Sequence, residues 1–287
     1  MSLSLLVDKS LSFLHPIKIN SLKRFGNKND GGYVIPEEIL KKSNVLLSFG
    51  YGYDPSFEYD FLKKTRCNKK VFVFDHSCSI FFLIKKVLTY LKRLILFRKK
   101  IIDLKFHLKN LKNHLIFLKN KNIFFFKKKI VSNNKNNLNV TINTRSNGEI
   151  PIHIKKITID EIFKQHNLKN ILLKCDIEGT EYLIIDDLIK YFYYINMMVI
   201  EFHFVDKNLK VFKKCIKTIL KKFFIAHIHG NNNGKLVKFL NIPIYPEITF
   251  VNNRFLKKKE TCKKNYPIHS LDNKNNTLRR DLFFHFR

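Results

Sequence analysis

"NVLLSFGYGYDPSFEYDFLKK", residues 44–64, is the stretch on which the fold turns. Val45–Phe49 is a short apolar run bounded by glycine, which reads as a buried strand. Gly50 and Gly52 make the turn, and Pro55 to Lys64 reads as the helix that follows. "KKVFVFDHS", residues 69–77, adds a second apolar strand, Val71–Phe74, ending in Asp75. Strand, glycine turn, helix, and strand with a terminal acid is the βαβ opening of a nucleotide-type site. Glycine suits a backbone that must approach a ligand closely. A carboxylate at the end of the second strand can accept two ribose hydroxyls. An ordinary tight turn followed by a surface acid would look the same. The third glycine of the dinucleotide fingerprint is absent, which weighs against a nicotinamide-dependent oxidoreductase.

Upstream, "NDGGYVIPEEIL" (29–40) reads as a turn, a short strand Tyr33–Ile35, and a helix starting at Pro36 with acids at its positive end. Downstream, "NIFFFKKKIVSNN", "NILLKCDIEGTE" and "MMVIEFHFV" read as strands. "ITIDEIFKQHNL", with Thr158 as a cap, "DDLIKYFYYIN" and "NLKVFKKCIKTILKKFF" read as helices. "IAHIHGNNNGKL" and "YPEITFVNNRF" are two closing strands, expected to be antiparallel. Strands alternating with helices predict a largely parallel, doubly wound α/β sheet in a single domain spanning 1–287.

Residues 79–121 stand apart. Ile80, Ile84, Val87, Leu91 and Leu94 keep helical spacing, as do Ile101, Leu104, Leu108, Leu111, Leu115 and Leu118. Twelve Lys or Arg fall among them with one acid, Asp103. The block reads as a basic amphipathic insertion. An apolar stripe usually buries internally, so a lid packed on the domain is favoured over a helix lying on an anionic membrane.

The whole chain is basic, with 54 Lys+Arg against 23 Asp+Glu and a formal net charge of +31. That balance fits polyanionic partners. Yet only nine of the 54 cations are Arg, the residue whose planar fork suits phosphate. Abundant Lys, Asn, Ile and Phe, with no Trp, point to codon drift and weigh against a nucleic-acid surface. Five scattered cysteines, Cys67, Cys78, Cys175, Cys215 and Cys262, fit free thiols in a reducing compartment. "MSLSLLVDKSLSFLHP" shows no secretory signal, and no charge-free stretch is long enough for a membrane span. A cytoplasmic protein is expected, peripheral to a membrane if the basic block binds lipid.

Three acids, Asp176, Glu178 and Glu181, crowd the end of the strand Ile171–Cys175. They could cap the next helix and favour its dipole. They could equally orient a cofactor, act as a base or hold a divalent cation. The second reading is favoured because Glu201 and His203 end the next strand, and His229, Asn231 and Asn232 follow the one after. Such strand ends are where open α/β sheets bind ligands. His203 and His229 are the candidate bases or ligands, although each could be a satisfied core histidine.

These motifs, in this order, resemble the FkbM-type methyltransferases, which use S-adenosylmethionine. The resemblance runs through "NDGGYVIP", "LSFGYGYDPSFEYDF", "VFVFDHS", "ILLKCDIEGTEYLII", "VIEFHFV", "AHIHGNNNG", "PEITFVNNRF" and "LDNKNNTLRRDLFF", nearly everything but 79–121. It implies a Rossmann-like methyltransferase fold, a mostly parallel seven-stranded doubly wound sheet with the last strand antiparallel. It implies a cofactor site of Phe49, Gly50, Gly52, Asp54, Glu58, Asp75 and Asp176, with the two glycines along the methionine moiety, Asp75 on the ribose and Asp176 near the sulfonium. O-methylation of a glycan, glycolipid or other small hydroxylated acceptor is the activity it implies.

For a hydroxyl acceptor, His203 or His229 would be the base, with Asp176 or Glu201 orienting it. Alternatively, Mg²⁺ held among Asp176, Glu178, Glu201 and His203 would lower the acceptor's pKa. A competing expectation is a degenerate methyltransferase fold that binds nucleic acid or anionic membrane through 79–121.

Overall fold

The computed structural model describes residues 4–65, 69–96, 101–133, 140–141, 154–256 and 260–287. The side chains of Ile102, Asp103 and Phe106 are not described, and Cys67 lies outside the described residues, as do residues 97–100 of the basic block. We number the strands of the main sheet β1 (Val45–Phe49), β2 (Lys70–Phe74), β3 (Ile123–Phe126), β4 (Ile171–Cys175), β5 (Ile195–Glu201), β6 (Phe223–Gly230) and β7 (Pro246–Asn252). Helices are α1 (Glu37–Lys42), α2 (Ser56–Lys64), α3 (Ile80–Ile95), α4 (Ile101–Lys119), α5 (Ile159–Gln165), α6 (Glu181–Leu188) and α7 (Val205–Ile219).

The sheet order is β3-β2-β1-β4-β5-β7-β6. β3, β2, β1, β4 and β5 pair in parallel. β7 runs antiparallel to both β5 and β6. This is the Rossmann-like methyltransferase sheet, with the last strand reversed. The central strands β1, β4 and β5 are buried at every position. Covered on both faces by helices, they read in sequence as continuous apolar runs rather than alternating ones.

One face carries a core built on Ile159, Ile162, Leu188, Phe212 and Ile216. The other carries Ile35, Leu40, Phe57 and Phe61. Helix starts follow local chemistry. At α5, Thr158 Oγ1 accepts from the Glu161 N–H, and the Glu161 carboxylate accepts from the Thr158 N–H, a reciprocal capping box. The expected helix over "DDLIKYFYYIN" differs. α6 ends at Leu188, and Ile189–Tyr194 tightens into a 3₁₀ turn before β5.

The site follows from topology. The chain builds outward from β1 to β3 and then returns to β4 on the other side of β1. The order therefore reverses between β1 and β4, where a crevice opens beyond their carboxyl ends. Phe49 and Cys175 lie in register there, so Gly50 and Asp176 leave the sheet side by side.

The basic block forms a helical hairpin whose apolar spacing is only partly buried. α3 and α4 pack on each other, with the Tyr90 and His107 rings 4.0 Å apart. The end of α4 is set into the domain through buried His114 and Phe117, and the start of α3 through buried Leu83 and through Phe82, which stacks on Tyr53. Ile84, Leu91, Ile101, Leu108, Leu115 and Leu118, expected to face a core, are exposed. Among the described residues, no helix is long and apolar enough to cross a membrane.

Candidate active site at the carboxyl ends of the strands

Gly50 adopts φ +82°, and a Cβ there would meet the Asp176 carbonyl oxygen at 1.7 Å. Only glycine fits, and this close approach locks the end of β1 to the end of β4. The Asp176 N–H donates to the Phe49 carbonyl at 2.9 Å. Gly52, at φ +61°, would point its Cβ into open space. Beyond this turn lies a cavity of about 240 Å³. Asp30, Asp54, Asp75, Ser77, Asp176 and Glu178 line it together with the glycine turn.

Beneath the cavity Lys174 is 4 % exposed, a charge inside a buried strand. Its Nζ donates to the Gly50 carbonyl at 2.7 Å and lies 3.8 Å from Glu58 Oε1, which also accepts from Ser48 Oγ at 2.6 Å. Burial pushes the Glu58 carboxyl up despite the Lys174 ammonium and the Ser48 hydroxyl. Glu58 and Phe49, expected to touch cofactor, are fully buried and do not line the cavity. Their work is structural: Glu58 anchors Lys174, and Lys174 holds the turn.

Asp75 lines the cavity, but its carboxylate is committed. Oδ2 accepts from the N–H groups of Tyr51 and Gly52 at 2.8 and 3.1 Å. Oδ1 accepts from the N–H and Oγ of Ser77 at 2.7 and 2.6 Å. Burial alone would raise this carboxyl, yet the hydrogen bonds outweigh it and hold it below the usual range. In this arrangement Asp75 lines the cavity at the end of β2 and its carboxylate clamps the glycine turn.

Asp176 takes no capping role. Its Oδ2 accepts from the Tyr33 hydroxyl at 3.2 Å, and its Oδ1 stands 3.7 Å from His203 Nε2. Glu178 is no helix residue either; it sits at φ +57° in the turn before α6. Burial pushes the Asp176 carboxyl up to about 6, with Glu178 and Asp30 adding to it and His203 and Lys174 pulling it down.

His203 is 6 % exposed. Its Nδ1 bonds Glu181 Oε1 at 3.1 Å, and the same oxygen accepts from the His203 backbone N–H at 2.7 Å. Glu181 thus orients the ring so that Nε2 faces Asp176, Glu178 at 3.7 Å and Glu201 at 4.0 Å. Burial opposes charge on this ring, but Glu181, Glu201 and Asp176 carry its pKa well above the usual imidazole value. Burial and the neighbouring Asp176 raise the Glu201 carboxyl well above its ordinary range.

His229 does not join them. It is buried, its Nδ1 is 2.9 Å from Glu247 Oε2, and, like His203 and Glu201, it does not line the cavity. Asn231 Nδ2 donates to Glu201 at 2.9 Å. Asn275 Nδ2 donates to Glu247 Oε1 at 2.6 Å and to Asp30 Oδ1 at 3.0 Å.

Sequence reasoning missed Asp30, Lys174, Glu247 and Asn275. A lysine in the middle of "ILLKC" is a readable signal of a buried partner. Glu247 begins a strand, and only the reversal of β7 carries it to the edge where Glu201 ends.

A switch-point crevice with a glycine turn on one strand and an acid cluster on its neighbour, within this sheet order, defines an S-adenosylmethionine-dependent methyltransferase. The profile of the Methyltransferase FkbM domain matches residues 79–240. The chain belongs to that family. No curated protein matches the sequence. Among solved structures, it is similar to a Methanococcus jannaschii fibrillarin, a pre-rRNA processing protein, at 9 % identity and TM-score 0.36, over 85 % of this chain and 74 % of that one. It is also similar to a precorrin-6y C5,15-methyltransferase from Geobacter metallireducens GS-15, at 10 % identity and TM-score 0.33, over 79 % and 94 %.

Proposed function

We propose that the protein methylates a hydroxyl oxygen of a glycan, glycolipid or other polyhydroxylated acceptor. The observation that carries this is the convergence of Asp176, Glu178 and Glu201 on the His203 imidazole, with Asp30 lining the same cavity as Asp176 and Glu178. Carboxylates accept hydrogen bonds from hydroxyls, and several in one crevice suit a ligand with several hydroxyls.

S-adenosylmethionine supplies a methyl group already activated by its sulfonium. Gly50, Gly52 and Asp54 would hold it along the open turn, and the carboxylates of Asp30 and Asp176 suit its positive charge. Asp176 Oδ1 accepts the acceptor's proton, its pKa of about 6 leaving it ionised yet basic near neutral pH. The His203 imidazolium keeps Asp176 ionised. This reverses the expected roles, in which histidine was the base and the carboxylate oriented it. The Tyr33 hydroxyl fixes Asp176 from its other oxygen, and Asn231 steadies Glu201.

A second reading rests on one observation: ligand atoms of Asp176, Glu178 and His203 lie within 4.8 Å of one another, a spacing that fits a divalent cation. Two carboxylates with an imidazole suit manganese or zinc better than the all-oxygen preference of magnesium.

The test is methyl transfer from labelled S-adenosylmethionine to a panel of glycans and glycolipids, with calorimetric binding of S-adenosylhomocysteine alongside. Asp176→Asn is expected to keep S-adenosylhomocysteine binding and lose transfer. A folded Asp176→Asn variant with full transfer refutes the base assignment. Transfer abolished by a chelator and restored by manganese moves the site to the metal reading.

A further inference from the structure

The α3–α4 pair breaks the ordinary rule of burial. Phe81, Ile84, Leu88, Leu91 and Ile95 follow one another at three- and four-residue steps along a single face of α3, and all five are exposed, Phe81 by 79 % and Ile95 by 67 %. On α4, Ile101, Leu108 and Leu115 recur every seven residues and are exposed as well. Among the described residues, five of these eight positions carry a lysine four residues on: Lys85 after Phe81, Lys92 after Leu88, Lys105 after Ile101, Lys112 after Leu108 and Lys119 after Leu115. All five lysines are exposed. A monomer in water gains nothing from such a stripe, and contiguous apolar surface of this kind marks an interaction face.

We propose that this face docks on an anionic lipid bilayer. Apolar side chains edged by lysines, on helices too charged to span, match the requirement for lying in a bilayer interface, where the stripe enters the acyl boundary and the ammonium groups reach lipid phosphates. Charge selects this occupant. A second copy facing the same stripe would bring lysine rows against lysine rows. Nucleic acid would satisfy the lysines but leave Phe81, Leu88 and Ile95 without partners.

The hairpin's root ties docking to the cavity. His114 Nδ1 lies 3.2 Å from the Tyr51 hydroxyl, and Phe117 stacks on the Tyr51 ring at 4.9 Å. Phe82 stacks on Tyr53 at 5.7 Å. Tyr51 and Tyr53 flank Gly52 in the glycine turn, so a docked hairpin holds that turn beside the lipid headgroups. Resting on the proposed hydroxyl methylation, this narrows the acceptor to one carried at a membrane surface.

Vesicle flotation tests the proposal without any transfer assay. The full chain is mixed with phosphatidylcholine vesicles, with or without phosphatidylserine. Wild type is compared with Phe81→Ser/Leu88→Ser/Ile95→Ser and with Lys85→Gln/Lys92→Gln/Lys105→Gln/Lys112→Gln. Wild type should float with the phosphatidylserine vesicles and stay behind with phosphatidylcholine alone. Each variant should lose roughly tenfold or more of that partition, with S-adenosylhomocysteine binding intact. Three outcomes overturn it: no partition of wild type, partition unaltered by the serine substitutions, or sedimentation showing a dimer that those substitutions dissolve. Tighter binding to duplex RNA or DNA, insensitive to the serine substitutions, also overturns it. Failure here leaves methyl transfer in solution intact, whereas failure of hydroxyl methylation leaves vesicle binding intact.

Discussion

The crevice and the basic hairpin depart from ordinary burial in opposite directions. The crevice takes carboxylates and imidazoles out of water in a chain with only 23 acids. The hairpin leaves Phe, Leu and Ile in water in a chain with a core able to take them. In the crevice nearly every charge is answered by a named partner: Glu181 by His203, Glu58 by Lys174, Glu247 by Asn275. On the hairpin the stripe of Phe81, Ile84, Leu88, Leu91 and Ile95 has no such answer among the described residues. Buried polar and exposed apolar groups are the informative exceptions to the inside–outside rule, and both point to contacts made outside the folded chain.

The largest effect is expected at Asp176. Asp176→Asn should lower turnover by about 10²–10⁴-fold, with the thermal unfolding midpoint little changed. Next is the floor of the crevice. Lys174→Met strands Glu58 in the core and should cost about 3–5 kcal/mol in urea unfolding. Adding Glu58→Gln should recover much of that loss. If the single substitution is harmless, Lys174 does not hold the turn.

A smaller effect concerns pH. Activity that needs Asp176 ionised should fall as pH drops through about 6. Because the His203 charge lowers the Asp176 pKa, His203→Gln should move that limb to higher pH, read from kcat/KM profiles. Stability runs with the opposite sign. A carboxyl raised in the folded state adds stability below its unfolded value of 3.8, and this is lost as pH rises towards 6. Wild type should thus weaken against Asp176→Asn over that window, by roughly 3 kcal/mol. The smallest effect belongs to the hairpin. Leu88→Ser with Leu91→Ser should change unfolding by less than about 0.5 kcal/mol, although the same pair deleted from a core would be ruinous.

The parallel strands were legible because burial on both faces makes them continuous apolar runs, and Val45–Phe49 and Ile171–Cys175 stand out as such. The glycine turn and the acids behind β4 were legible because they sit next to those runs. Asp30, Glu247 and Asn275 were not, since nothing local distinguishes a crevice acid from a turn acid when the contact spans 245 residues. The clamp that Asp75 makes on the glycine turn was not legible for a related reason: most of its donors are backbone N–H groups, which no side-chain pattern announces. The hairpin was misjudged because helical spacing reports an apolar face but not whether another surface covers it.

The Asn275 amide has a kinetic consequence. By joining Asp30 in the amino-terminal turn to Glu247 on β7, it closes one side of the crevice with chain segments 245 residues apart in sequence. Long closures of this kind form late. An early folding species could already hold β1, β2 and β4 and still lack an acceptor site. In the native state, local opening of the segment around Asn275 would release Asp30 and Glu247 together while the sheet stands. Hydrogen exchange should find the Asn275 and Asn276 amides opening well before those of Leu47 and Leu173.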